Sequence, residues 1–113
     1  MTAAIERLVT EADLAQFCED QRARYWAWRA SFKCPPLDGE TVDHRFSIGE
    51  RYARIIRDEV VITRSVVCFI DLANGDILKG AWKAPVARGV RGNIFTADRG
   101  ASCMDGTSPK YLR

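Results

Sequence analysis

Residues 60–80 read VVITRSVVCFIDLANGDILKG and hold the strongest strand signal of the chain. The run 60–70 is rich in β-branched residues, which favour extended backbone. Asn74-Gly75 follows among turn-forming residues, and this dipeptide favours the tight turn of a β-hairpin. The run 76–80 then predicts the returning strand. The stretch as a whole therefore predicts an antiparallel hairpin.

The segment before this hairpin extends it into a sheet. Residues 51–57 read RYARIIR and predict a further short strand. Together the three strands form an antiparallel meander within residues 51–80. A helix is predicted upstream of them, over residues 11–32. The fold class predicted is therefore α+β, with an N-terminal helix packed on a small antiparallel meander sheet in a single domain over residues 1–113.

The helix over residues 11–32 has a recognisable start and an apolar face. Thr10 suits the N-cap, and the acidic residues Glu11 and Asp13 suit the positive end of the helix dipole. Gln21 is the one polar residue that interrupts the apolar stripe. Because the other members of the stripe recur at helical spacing, they are predicted to be buried, namely Leu14, Phe17, Cys18, Tyr25 and Trp28.

Composition excludes several classes of protein. The 113 residues are 47% hydrophobic and 28% charged, which is typical of a soluble globular domain. No run approaches the ~20 apolar residues of a membrane span. The first residues carry several charges, so they do not predict a secretory signal. A membrane protein, a long disordered chain and a multidomain enzyme are therefore not expected.

The cysteines predict a reducing compartment. Cys18, Cys34, Cys68 and Cys103 are widely spaced, and no close pair of the C-x₂-C kind is present. Structural zinc sites are built from such pairs, and secreted disulfide scaffolds are denser in cysteine. We therefore expect thiols without disulfides, no metal, no cofactor and a cytoplasmic location.

The charges are distributed unevenly along the chain. Residues 1–78 carry 10 Lys and Arg against 13 Asp and Glu, a net charge of −3, whereas residues 79–113 carry 7 against 2, a net charge of +5. A basic region of this kind is typical of a surface that meets an anionic partner.

Residues 79–95, KGAWKAPVARGVRGNIF, concentrate these cations around one tryptophan. The segment is predicted as a strand end followed by a helical turn that Pro85 initiates, and then by a loosely held tail over residues 96–113. Lys and Arg bind phosphate oxygens, an indole stacks on a base, and glycines let backbone amides approach an anion. The predicted ligand-binding residues are Lys79, Trp82, Lys83, Arg88, Arg91 and Asn93.

Several short motifs in this half of the chain occur together. They are FID at 69–71, GDI at 75–77, WKAP at 82–85 and RGNI at 91–94, with Lys79 between the second and the third. Over about residues 50–95 this combination resembles a family of small uncharacterised proteins of tailed bacteriophages. The resemblance implies a phage origin and the cytoplasm of the host cell, and it brings no activity with it.

Three classes of function are open at this point. The first is a non-enzymatic protein that binds a nucleotide, a nucleotide-derived immune signal or single-stranded nucleic acid through the basic surface, alone or as a homo-oligomer. The second is a protein–protein inhibitor or adaptor of a host enzyme, which would use the aromatic residues Tyr25, Trp26 and Trp28.

The third is a small hydrolase or nuclease. It finds little support, because His44 is expected to be a satisfied loop or surface histidine. The carboxylates of Asp58, Glu59, Asp71 and Asp76 are likewise expected to cap turns.

Overall fold

A computed structural model describes residues 7–33, 39–59, 64–80, 85–104 and 108–109, with residues 85–89 described in their backbone alone. Within these ranges, five strands form one antiparallel sheet in which each strand pairs with its neighbours in sequence, and one helix packs against it. The predicted α+β class, a helix on an antiparallel meander, is confirmed. The elements are α1 (Glu11–Ser31), β1 (Val42–Ile48), β2 (Tyr52–Glu59), β3 (Ser65–Asp71), β4 (Asp76–Gly80), β5 (Pro85–Asn93) and a 3₁₀ turn (Ala101–Cys103).

Helix α1 begins as predicted, at a complete capping box. The Thr10 hydroxyl accepts a hydrogen bond from the Asp13 amide, and the Asp13 carboxylate accepts one from the Thr10 amide. The predicted apolar face is buried as far as Tyr25, and Gln21 within it is fully buried as well. None of the helices in the described ranges is long and apolar enough to cross a bilayer.

The predicted burial of Trp28 is wrong. Its side chain is 38% exposed and meets Phe32, which is 62% exposed, edge to face with ring centroids 5.2 Å apart. The reason is geometric: Tyr25 lies against His44 near the start of β1, with ring centroids 6.2 Å apart. Trp28 lies one helical turn further along. The last turn of α1 therefore carries an exposed aromatic pair.

The central hairpin is confirmed. The amides of Asn74 and Gly75 both donate to the carbonyl oxygen of Asp71, at 3.3 and 2.7 Å. Gly75 has φ +83°, a left-handed conformation that glycine adopts without a steric penalty. Strand β4 matches its predicted range. Strand β3 begins at Ser65, and residues 60–63 of the predicted strand lie outside the described residues.

The sheet is wider than predicted, because β1 and β5 flank the predicted three strands. In β1 the apolar alternation of Val42, Phe46 and Ile48 is interrupted by His44, so the period-2 pattern is weak. The helical turn predicted at Pro85 is wrong, since Pro85 begins β5 and pairs with Gly80. Proline is compatible with the first residue of an edge strand, where its missing N–H removes no ladder hydrogen bond.

The core lies between α1 and one face of the sheet, and residues after β5 close it. Leu14 and Phe17 of α1 pack with Ile70 and Ile77 of the sheet, all nearly or fully buried. Ile94 and Met104 belong to the same cluster, with 6% and 3% of their surface exposed. The prediction of a loosely held tail from residue 96 onward is therefore wrong for residues 96–104. Residues 105–107 and 110–113 of that prediction lie outside the described residues.

Candidate functional site

The predicted basic segment lies on the β4–β5 ladder, which is irregular at two places. The pairs Ile77–Gly92 and Leu78–Val90 leave Arg91 as an extra residue, which is the arrangement of a β-bulge. Arg91 is half-buried at this position. Bulges redirect side chains and interrupt the ladder, and they are common beside binding sites.

The second irregularity is larger and surrounds Lys79. Between the pairs Leu78–Val90 and Gly80–Pro85, β4 has only Lys79, whereas β5 has residues 86–89. Arg88 is one of these extra residues, described here in its backbone alone. The ladder therefore brings Lys79 and Arg91, and the backbone of Arg88, to neighbouring strands within a few residues of each other.

Trp82 and Lys83 lie outside the described residues. They belong to residues 81–84, which link the paired residues Gly80 and Pro85.

Asn93 lies at the other end of the same ladder and is engaged in a turn. Its side-chain nitrogen, Nδ2, donates to the backbone carbonyl of Asn74 at 2.9 Å and to the Asp76 carboxylate at 3.0 Å. Its side-chain oxygen accepts from the Phe95 amide at 2.7 Å. These bonds join the β3–β4 turn to the end of β5, so the Asn93 side chain stabilises the fold at this end of the ladder.

Arg24 is a cation that sequence reasoning missed. Its Nε donates to the buried Gln21 side chain at 2.8 Å, and its guanidinium lies over the Phe17 ring at 5.7 Å. One of its nitrogens, Nη2, is buried without a hydrogen-bond partner. Burial lowers the pKa of Arg24, while Asp20 opposes that shift. The sequence signal for the burial of Arg24 was its position seven residues after Phe17, on the buried stripe of α1.

His44 lies on the helix-facing side of β1 and is not the surface or loop residue expected. It pairs with Arg57 of β2, whose guanidinium lies 5.2 Å from the centroid of the Tyr25 ring. Both ring nitrogens of His44 are buried and have no hydrogen-bond partner. Burial and, secondly, the charge of Arg57 lower the pKa of His44 to about 4. The imidazole is therefore neutral at pH 7.

Acidification from pH 7.5 to pH 5 is expected to remove about 1–2 kcal/mol of stability through His44, after allowance for partial solvent screening. Its pKa is about 4 in the folded chain against an ordinary 6.5, so between these values only the unfolded chain binds the proton. This contribution is complete above about pH 6.5 and is lost as the pH falls toward 4. Urea unfolding of the wild type and of His44→Phe at both pH values measures it. The same pH dependence in the two proteins would contradict the assignment.

The carboxylates singled out in the sequence are engaged in local contacts. Asp71 accepts from the Ala73 amide at 3.0 Å and lies 3.4 Å from Arg51, while Glu59 pairs with Arg57 at 2.7 Å. Within the described ranges, no three His, Cys, Asp or Glu side chains are arranged to hold a metal ion.

The cysteines that the structure describes are thiols in or near the core. Cys18, Cys68 and Cys103 form no disulfide, and Cys34 lies outside the described residues. Burial raises the pKa of Cys18 to about 12 and raises that of Cys68 as well. Because the thiolate is the reactive species, these two thiols are poor nucleophiles at neutral pH.

Comparison with known proteins gives one result. No curated protein and no solved structure matches the chain. The sequence model of a family of unknown function, DUF7717, matches residues 5–109, which is nearly the whole chain. The chain therefore belongs to the DUF7717 family.

Proposed function

We propose that this is a non-enzymatic, phage-encoded protein of the host cytoplasm that binds a phosphate-bearing ligand at the β4–β5 hairpin. One observation supports the proposal above the others: both irregularities of the β4–β5 ladder coincide with cationic residues. Arg91 is the extra residue of the bulge, and Arg88 belongs to the four residues that face Lys79. The phage origin rests on the motifs between residues 69 and 94, and the cytoplasmic setting on the widely spaced cysteines.

The chemistry of an irregular ladder suits an anion. A bulge redirects the side chain of its extra residue, and bulges are common beside binding sites. Backbone amides and cationic side chains together are the usual phosphate-binding groups, and Arg makes bidentate contacts. Trp82, in the link between β4 and β5, would stack on a base. The ligand is therefore a nucleotide, a nucleotide-derived immune signal that the phage sequesters, or single-stranded nucleic acid.

Salt dependence separates a small nucleotide from a polymer. A nucleic acid releases counterions in proportion to the phosphates contacted, so the logarithm of its affinity falls steeply with the logarithm of salt concentration. A single nucleotide carries few phosphates and gives a shallow slope. Titration of ATP and of a labelled oligothymidylate at several salt concentrations therefore identifies the class of ligand.

Arg91→Ala is expected to weaken binding of the anionic probe about ten- to a hundredfold, because a charge-assisted hydrogen bond contributes roughly 1.5–3 kcal/mol. Lys79→Ala tests the neighbouring strand. Arg45→Ala is the matched control, since Arg45 lies on β1 at the far edge of the sheet in an exposed pair with Asp58. Isothermal titration calorimetry measures binding, and thermal melting checks that each variant folds. Failure of the wild type to bind either probe would overturn the proposal, as would equal affinities of all three variants.

Arg7 is unsuitable as the control despite its exposure. Its Nη2 donates to the carbonyl oxygens of Gly49 and Glu50, at 3.1 and 3.2 Å. These bonds tie the segment before α1 to the β1–β2 turn. A loss of binding in Arg7→Ala could therefore reflect a loss of structure.

A protein–protein inhibitor or adaptor is the second candidate function. The observation that favours it is the exposed pair of Trp28 and Phe32 at the end of α1. Aromatic side chains are enriched among the residues that dominate binding energy at protein interfaces. A hydrolase or nuclease is the third candidate, and no geometry described above favours it.

A further inference from the structure

A groove runs between α1 and the outer edge of β1, far from the β4–β5 hairpin. Its volume is about 390 Å³. One wall is formed by Ala15, Cys18, Glu19 and Arg22, which lie on one side of α1 over two helical turns. The other wall is formed by residues 43–46 of β1.

The groove follows the free edge of the strand. Successive side chains of a strand point to opposite faces, so a pocket on one face would be lined by alternate residues. Here four consecutive residues line it, which places the groove along the backbone edge. Strand β1 is the last strand of the sheet on that side, so within the described residues this edge has no strand partner. An open strand edge presents unpaired N–H and C=O groups to an incoming chain.

His44 supplies a second, independent observation. It belongs to the wall of the groove, and both its ring nitrogens are buried without a hydrogen-bond partner. Buried polar groups are nearly always hydrogen-bonded, and an unsatisfied one costs about 1–3 kcal/mol. A turn of the imidazole toward the groove would let it bond to a hydroxyl group of a ligand, and that bond would remove the cost.

We propose that this groove binds an extended peptide segment of a partner protein, which adds to β1 as an antiparallel sixth strand. Strand addition of this kind takes its affinity from backbone hydrogen bonds and its specificity from alternate side chains. On the solvent face the peptide meets Asp43 and Arg45, two residues apart, and Arg45 also pairs with Asp58. The complementary side chains of the peptide are a cation opposite Asp43 and an anion that shares Arg45 with Asp58. The peptide residue opposite His44 is Ser or Thr.

A second copy of this chain fits the groove poorly, although its own β1 carries a similar charge pattern. The backbone of helix α1 lies closest to β1, and its buried side chains reach inward to β3 and β4. Paired edge strands lie about 4.8 Å apart, so two copies joined through β1 would bring their helices side by side on one face of the joined sheet. Packed helices need about 8–10 Å between their axes. A single extended strand meets no such obstacle.

The probe is the blocked pentapeptide acetyl-Val-Glu-Thr-Lys-Val-amide, titrated into the full-length ¹⁵N-labelled protein and followed by heteronuclear NMR. Its antiparallel register places Glu opposite Arg45, Thr opposite His44 and Lys opposite Asp43. We expect the amide signals of residues 43–46 and of the facing side of α1 to shift. The charge-swapped peptide Val-Lys-Thr-Glu-Val is expected to bind about five- to tenfold more weakly, because two favourable cross-strand pairs become unfavourable.

Ala15→Trp is expected to weaken peptide binding at least about tenfold, because an indole at this position fills the groove. Ala23→Trp is the matched control, since Ala23 is also exposed on α1 but does not line the groove. Backbone N-methylation of the peptide at alternate residues gives a test without any protein variant. Alternate amides can be methylated in two ways, at the odd-numbered or at the even-numbered peptide residues. One of these two phases is expected to abolish binding, because only one set of amides faces β1.

Three results would overturn the proposal. The first is equal or stronger binding of the charge-swapped peptide. The second is binding that survives both phases of N-methylation. The third is a dimer in sedimentation equilibrium that Ala15→Trp dissociates, which would assign the groove to a second copy of the chain. None of these results bears on the β4–β5 hairpin, whose cations lie at the opposite edge of the sheet.

Discussion

Gly100→Ala is expected to lower the free energy of unfolding by about 3 kcal/mol. Gly100 has φ +81°, a conformation that costs an L side chain roughly 1–2 kcal/mol. A Cβ at this position would lie 2.5 Å from Cδ1 of Ile77, which is fully buried, and 3.3 Å from the carbonyl oxygen of Asn93. The overlap adds a cost of overpacking to the cost of the backbone conformation.

Gly39→Ala separates these two costs. Gly39 has a similar φ of +75°, but no described atom lies within 4 Å of its Cβ position. Gly39→Ala is therefore expected to lower the free energy of unfolding by only about 1 kcal/mol. Urea unfolding of the two variants and the wild type measures both losses. Equal losses would mean that the contact with Ile77 relaxes without cost.

The second large effect is expected at Ile94, where substitution by alanine should cost about 3 kcal/mol. The Ile94 side chain is buried in the main cluster, and its amide donates to the Gly75 carbonyl at 3.0 Å. Phe95→Ala is the control next to it. Because Phe95 is 46% exposed, its loss should cost about 1 kcal/mol or less despite the larger side chain.

Thermal and urea unfolding of both variants decide whether the segment after β5 is part of the folded unit. A larger loss at Ile94 than at Phe95 is the expected order. The reverse order would mean that this segment is held only loosely.

The parts of the fold that the sequence predicted are those with strong local signals. The Asn74-Gly75 turn and the Thr10 cap depend on residues within a few positions of each other, and both are present as predicted. Strand β1 was missed because His44 occupies an inward-facing position where the pattern requires an apolar residue. Strand β5 was missed because Pro85 and two glycines are typical of turns, whereas an edge strand also tolerates them.

The candidate site was predictable only in its composition. The cluster of cations from Lys79 to Arg91 is visible in the sequence, but the two irregularities that group them on the ladder depend on strand register. The burial of Arg24 was indicated only by its position seven residues after Phe17, and the burial of His44 by no local pattern. Both depend on how α1 lies across the sheet.

The meander has a consequence for how the chain folds. Each strand pairs with the next one in sequence, and the backbone of α1 lies closest to the strand that follows it. Pairing of consecutive strands loses little loop-closure entropy at each step. Most of the architecture can therefore form from the N-terminus onward while the chain is still being synthesised. Ile94 and Met104, which come after β5 in sequence, close the core last. The nascent protein thus keeps an apolar opening until residue 104 has left the ribosome, and this is the interval in which it is most prone to aggregate.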